Sequence, residues 1–323
     1  MARGRLICAL LGALLLIALL SPLRASAGGL HPPPEAMHAL DLIYSGDSNQ
    51  AMTEIRRFQT GDPDSPVGYL LEAEARWWEL YCEACQIKWN LIDAWHRGRL
   101  PSDQAYLSLL DKAITLSDEH IAKKDTADME FYAGLAWGLE ARLYGLLDDH
   151  RGVARAGVNG RARMLRCLKL DPEMVDAYAG LGLYDYYVDA LSALAKILRV
   201  FMGIPGGNKE EGIRQMRIAM DRGTVTRVGA RFYLANNLRI YDHDYFQSID
   251  VLSPLVEQYP QNPIYQLVLG DNEAKLARWS LAASIIRKTE TLPIQNPACA
   301  ARVREVGARF LATFPVREIS VVN

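Results

Sequence analysis

Leu168-Lys169-Leu170-Asp171-Pro172, followed by Asp176-Ala177-Tyr178 and Leu181-Gly182, is the stretch on which the fold turns. One apolar segment stops at Leu170. Asp171 before Pro172 then pairs a capping side chain with a residue suited to a first helical turn. Gly182 is a small residue that lets two helix backbones approach, and its large neighbours fill the groove so formed. The same punctuation returns at Glu257-Gln258-Tyr259-Pro260-Gln261-Asn262-Pro263, followed by Leu269-Gly270. A weaker copy is Gly61-Asp62-Pro63, followed by Tyr69 and Ala73. Pro172 and Pro205 are 33 residues apart, as are Pro260 and Pro293, so the unit is about one helical hairpin long.

Outward from that stretch, apolar residues recur every three or four positions. Leu135, Leu139, Leu143 and Leu146 make one stripe, and Phe232, Ala235, Leu238 and Tyr241 make another. The pattern predicts helices over 35–45, 48–59, 66–98, 102–121, 127–149, 152–170, 173–189, 191–203, 208–222, 225–241, 245–259, 263–276, 279–290 and 297–313. Asn208 with Glu211 and Asn262 with Pro263 mark starts, and Gly46, Gly61 and Gly223 mark stops. Short links force consecutive helices to lie antiparallel. The expected fold is all-α, a solenoid of stacked antiparallel helical hairpins.

The spacing resembles the tetratricopeptide repeat (TPR) superfamily over about 173–292, and faintly over 35–170. Phe232 stands where the family has its first-helix aromatic, Pro260 closes the second helix, and Leu269-Gly270 fills the paired large-small positions. Leu194 and Ala235-Asn236 depart from the pattern. The run from Gly180 to Tyr187, then Ile204-Pro205-Gly206-Gly207, also looks like exported bacterial TPR proteins of no assigned activity. The resemblance implies a concave groove lined by Tyr186, by Tyr233 and Asn237, and by Ile264, Leu267 and Asp271. Chaperone-tail clamps of the family need Lys and Arg at such places; only Asn237 matches, which argues against that role.

The N-terminus reads differently. Arg3 and Arg5, the apolar run from Leu6 to Leu20, and Ala25-Ser26-Ala27 form a secretory signal over 1–27. The 15-residue run is short for a membrane span. Residues 28–34, with His31-Pro32-Pro33-Pro34, read as a stiff spacer. An irregular hairpin region over 35–170, TPR-like units over 171–313 and a tail over 314–323 complete the organisation. The full chain has net charge −2, and loss of 1–27 removes three Arg and no acid, leaving −5. That balance excludes a nucleic-acid-binding face, which needs a basic excess.

Export permits disulfides among Cys82, Cys85, Cys167 and Cys299, with three pairings open. Cys82-Glu83-Ala84-Cys85 lies in a helical pattern, without the strand–turn–helix context of a redox pair, and no second C-x-x-C completes a zinc site. Glu35/His38 is a single Glu-x-x-His, Asp93/His96 and Asp242-His243-Asp244 are isolated, and no G-x-S-x-G or H-E-x-x-H occurs. No metal, cofactor or catalytic set follows. Glu72/Glu74 and Asp148/Asp149 read as solvated helix faces. Gly206-Gly207-Asn208-Lys209 opens a helix but lacks phosphate-loop spacing. Trp77-Trp78 point about 100° apart on a helix, so Trp78 is a candidate partner anchor.

The expected function is an exported, non-catalytic scaffold, periplasmic or secreted, that meets a protein or peptide partner, or a second copy, through its concave groove. Two alternatives stand beside it. One is an enzyme or small-ligand-binding protein with a pocket in the N-terminal half near Trp77, Trp137 or Tyr184. The other is an envelope assembly factor held at the membrane by residues 6–20.

Overall fold

The computed structural model of the protein describes residues 28–190 and 203–315. The expected signal over 1–27, most of the helix expected over 191–203 and most of the 314–323 tail lie outside the described residues.

Thirteen helices and one two-stranded hairpin make up the described secondary structure. They are α1 (Pro34–Ser45), α2 (Ser48–Gly61), α3 (Pro66–Ala84), β1 (Cys85–Lys88), β2 (Leu91–Ala94), α4 (Pro101–Lys123), α5 (Ala127–Leu146), α6 (His150–Leu170) and α7 (Ala177–Asp189). Further along the chain come α8 (Lys209–Arg222), α9 (Arg227–Ile240), α10 (Tyr245–Gln258), α11 (Pro263–Lys275), α12 (Trp279–Glu290) and α13 (Pro297–Leu311). The described residues are mostly helical, for the reasons the sequence states. Asn208 accepts the Glu211 N–H, Asn262 accepts those of Ile264 and Tyr265, and Asn296 accepts those of Ala298 and Cys299. Pro34, Pro66, Pro101, Pro263 and Pro297 sit in first turns, where no N–H is missed. Gly46 ends α1 with φ 83°.

Three expectations need correcting. The helix expected over 66–98 stops at Ala84, and Cys85–Ala94 is an antiparallel hairpin with Lys88 opposite Leu91. Its two-residue turn, Trp89-Asn90, has positive φ at both positions (49° and 60°), the pattern of a type I′ turn. Asn-Gly is the usual signal for that turn, and its absence concealed the hairpin. Second, Asp171-Pro172 does not open α7 directly; a run of turns intervenes and the helix starts at Ala177. Asp176 explains the delay: its buried carboxylate accepts the N–H groups of Thr224, Val225 and Thr226 at the start of α9. Third, residues 28–33 are not a free spacer. Leu30 is buried, and the Gly29 N–H donates to Asp171 at 2.7 Å.

Consecutive helices pack on one another along the chain. α7 and α8 approach closely through a pair of glycines. A Cβ on Gly182 would lie 2.7 Å from the Gly212 carbonyl, and one on Gly212 would lie 2.7 Å from the Gly182 carbonyl. Each glycine therefore makes room for the other's backbone, which is tighter packing than any side chain permits.

Helices early and late in the described sequence also meet. α13 packs on α3 and β1, and α11 packs on β2. Cys82 on α3 is bonded to Cys299 on α13 across a sequence separation of 217. Tyr259 donates to Asp41 at 3.1 Å, and Asn262 donates to the Tyr44 carbonyl at 2.9 Å. So α1, α3 and the hairpin lie against α9, α11 and α13.

Candidate functional site

α3 is the inner element of this arrangement. Its apolar stripe is unusually wide: Leu70, Leu71, Trp77, Trp78, Tyr81 and Cys82 are all buried. A helix apolar on several sides is one surrounded by protein. That corrects the reading of Trp78 as a partner anchor. Trp78 packs edge-on to Phe232 and Tyr265, at 5.0 and 5.5 Å between ring centres. Trp77, about 100° away, donates to the Tyr233 hydroxyl at 2.9 Å. Both indoles have partners because α3 has neighbours on more than one side.

The positions expected on an open groove are likewise covered. Tyr233 meets Trp77, and the Arg142 guanidinium lies 4.6 Å over its ring. Asp271, fully buried, pairs with fully buried Arg239. Arg239 also donates to the Ile92 carbonyl of β2 at 2.8 Å and to Asn236 at 2.9 Å. Asn236 donates in turn to the Tyr81 hydroxyl at 3.0 Å and to Asp93 at 3.3 Å. This polar seam fastens the hairpin to α9 and α11. Tyr186 and Asn237 belong to the neighbouring joint instead. Tyr186 donates to Asp242 at 3.1 Å, and Tyr187 donates to the Asn237 side chain at 2.8 Å. All five groove candidates, Trp78, Tyr186, Tyr233, Asn237 and Asp271, are buried by their own chain rather than offered to solvent.

The cysteine set resolves as well. Cys82–Cys299 is a disulfide, while Cys85 and Cys167 are buried free thiols. Burial pushes the Cys167 thiol up to about 12, and raises Cys85 further. Neither is a thiolate at neutral pH, so the C-x-x-C has no reactive member. Asp93 is buried in the seam while His96 is exposed, which separates that pair. Among the described residues no group of three metal-ligating side chains occurs. The start of α8 already holds an anion of its own chain, since the Lys209 N–H donates to Asp189 at 3.1 Å. Gly207 is pressed against the Asp185 carbonyl, which a Cβ would approach to 2.5 Å.

Beyond Trp77 the seam opens into a recess of about 110 Å³ among α1, α3, α5, α6, α7 and the start of α9. Its walls include Leu40, Leu71, Leu139, Met164 and Leu183, with Pro32 at its edge. Glu74, Arg142, Tyr44, Tyr132 and Thr226 add polar groups to the lining. Glu74 accepts from Trp78 at 3.0 Å, from Tyr44 at 3.4 Å and from Arg142 at 3.1 Å. Burial works against the Arg142 charge, but Tyr233 and Glu74 beside it hold the guanidinium protonated. Glu74 was expected on a solvated face, in a pair with Glu72. Leu70-Glu74-Trp78 at four-residue spacing is the signal that places it on the inner stripe.

No protein-family model matches the chain, and no curated protein matches it. Among the described residues, no helix is long and apolar enough to cross a membrane.

Another buried acid, outside the recess, lies on α5. Glu140 is 3% exposed, and its Oε2 has no hydrogen-bond partner. Burial, and then the Asp111 carboxylate, push its pKa up to about 7. A carboxyl raised in the folded state binds its proton more tightly there than in the unfolded chain. Stability is therefore lost as pH rises from the unfolded value, near 4.3, to about 7, and stays lost above it. Glu140→Gln is expected to stabilise the protein by about 2 kcal/mol at pH 8 and to leave it nearly unchanged at pH 4.5. Urea titrations at the two pH values measure this; an equal effect at both overturns the assignment.

Proposed function

We propose that this is an exported, TPR-like α-solenoid that acts as a non-catalytic scaffold for a protein partner, in the periplasm or outside the cell. The packing of each helix on the next supports stacked hairpins, and among the described residues the free thiols are buried and no group of three metal-ligating side chains occurs. The partner's contact is at the hairpin tip, because α3 and the hairpin already cover the inner positions.

Trp89 carries this reading. It is 77% exposed, the most exposed of the large apolar side chains described, and its φ of 49° is a conformation that favours Asn or Gly. Hydration and local backbone both oppose Trp at that place. The indole and its turn nonetheless have neighbours. Trp95 packs edge-on against it at 4.8 Å, and Lys275 at the end of α11 donates to the Asn90 carbonyl. Tyr241, 52% exposed, follows the neighbouring helix α9. An exposed Trp is the kind of anchor that dominates binding energy at interfaces.

Trp89→Gly tests this without disturbing the fold, since Gly suits the turn. Cross-linked partner recovered from envelope extract is expected to fall at least tenfold with Trp89→Gly, at unchanged melting temperature. Leu281→Ala, an exposed apolar site on α12, is expected to leave recovery intact. Equal recovery with wild type and Trp89→Gly refutes the assignment.

A further inference from the structure

We infer that the recess beneath α1 and α5 is a binding site for a small neutral molecule of about one six-membered ring that carries a single hydrogen-bond acceptor. Three observations combine in the inference, and none of them depends on the scaffold reading.

The first is shape. The recess holds about 110 Å³, and an apolar cavity of about 150 Å³ takes benzene. Ligands of roughly six to eight heavy atoms fit that scale. Glycines shape the space. A Cβ on Gly138 would meet nothing within 4 Å, and the nearest atom to one on Gly229 would be Arg142 Nη2 at 3.7 Å. Both glycines line the recess. Unlike the Gly182–Gly212 pair, then, they are not required by helix packing, and at these two positions the missing side chain leaves room.

The second is the donor. Among the described residues Arg142 donates one hydrogen bond, from Nη1 to Glu74, and its Nη2 lies 3.7 Å from where a Cβ on Gly229 would stand. A guanidinium carries five N–H donors in a fixed fork. A ligand oxygen near Gly229 receives a donor that the described residues leave unused.

The third is charge. Glu74 already neutralises Arg142, and Glu74 itself is fully engaged by Trp78, Tyr44 and Arg142. A carboxylate ligand would add a second buried negative charge with no second cation among the described lining residues to meet it, which is costly in an apolar site. A ketone or alcohol places an oxygen at Nη2 without that cost.

Cyclohexanone, benzene and cyclohexanecarboxylate are the probes, titrated into the full protein by calorimetry and ligand-observed NMR. Cyclohexanone is expected to bind about fivefold more tightly than benzene, the worth of one net hydrogen bond. Cyclohexanecarboxylate is expected to bind at least tenfold more weakly than cyclohexanone. Gly138→Leu projects a side chain into the recess while improving helix propensity, so it is expected to abolish cyclohexanone binding at an unchanged or higher melting temperature. Retained binding in Gly138→Leu, or a carboxylate that binds as well as the ketone, overturns the assignment. So does the absence of binding by all three probes at millimolar concentration. If Gly138→Leu melts early, Gly229→Ala serves as the second variant; its added methyl reaches Nη2, and binding undiminished there also counts against the site.

Discussion

Replacing Cys82 and Cys299 together by Ser is expected to lower the unfolding free energy by about 3–5 kcal/mol. The bond closes a loop of 217 residues in sequence separation. On the chain-entropy account, a loop of that size is worth about 5 kcal/mol, and native disulfides commonly deliver somewhat less. Urea unfolding of the oxidised protein and the double Ser variant gives the difference directly. The loss has a location too. Cys82 lies on α3 and Cys299 on α13, so amide exchange is expected to quicken first in those two helices. A difference below 1 kcal/mol would show that the packing of α13 on α3 stands without the clasp. Cys85 does not disturb this experiment. It is buried, and burial raises its thiol well above the ordinary range. A protonated thiol does not attack a disulfide, so peptide maps at pH 8 are expected to show Cys82–Cys299 and no Cys82–Cys85.

How much of this was legible in the sequence follows from which signals are local. Helix ends are local events: Asn208, Asn262 and Asn296 cap the helices they precede, and Gly46 stops α1, all within one turn of chain. The small residue at Gly182 was legible as a close approach, although its counterpart Gly212 was not, because reciprocity belongs to a pair of helices. The hairpin at Cys85–Ala94 was hidden by its turn, where Trp89-Asn90 takes a conformation usually written with Gly. Missing it had consequences. A straight helix over 66–98 has no way to bring Asp93 and the Ile92 carbonyl onto Arg239, so nothing local showed that Asp271, a groove position on the TPR resemblance, is covered. The recess was out of reach for another reason. Glu74 and Arg142 are 68 residues apart, and each sits on an otherwise ordinary helix. Only the four-residue spacing of Leu70, Glu74 and Trp78 hints that the acid faces inward.

Arg239 is where the seam is most exposed to a single change. Arg239→Met is expected to cost about 3–5 kcal/mol, because it leaves the fully buried Asp271 carboxylate and the buried Asp93 without their cation. The cost is expected to depend on pH. Burial raises the Asp271 carboxyl, and Arg239 is the first charge opposing that rise. Without Arg239 the folded-state value climbs further above the unfolded one. A group so raised binds its proton in the native state, so the variant regains stability as pH falls from 8 toward 5, and the deficit is greatest at pH 8. Adding Asp271→Leu removes the stranded charge and is expected to return part of the loss. A double-mutant cycle then gives a coupling energy above about 1 kcal/mol, since the two side chains are direct partners. Arg239 also donates to the Ile92 carbonyl, so amide exchange over the 85–94 hairpin is expected to accelerate in Arg239→Met at a pH where the protein remains folded. Additive single effects, a pH-independent deficit and an unchanged hairpin would together mean that the apolar contacts of Trp77, Trp78 and Tyr81 alone hold α3 and its hairpin against α9 and α11.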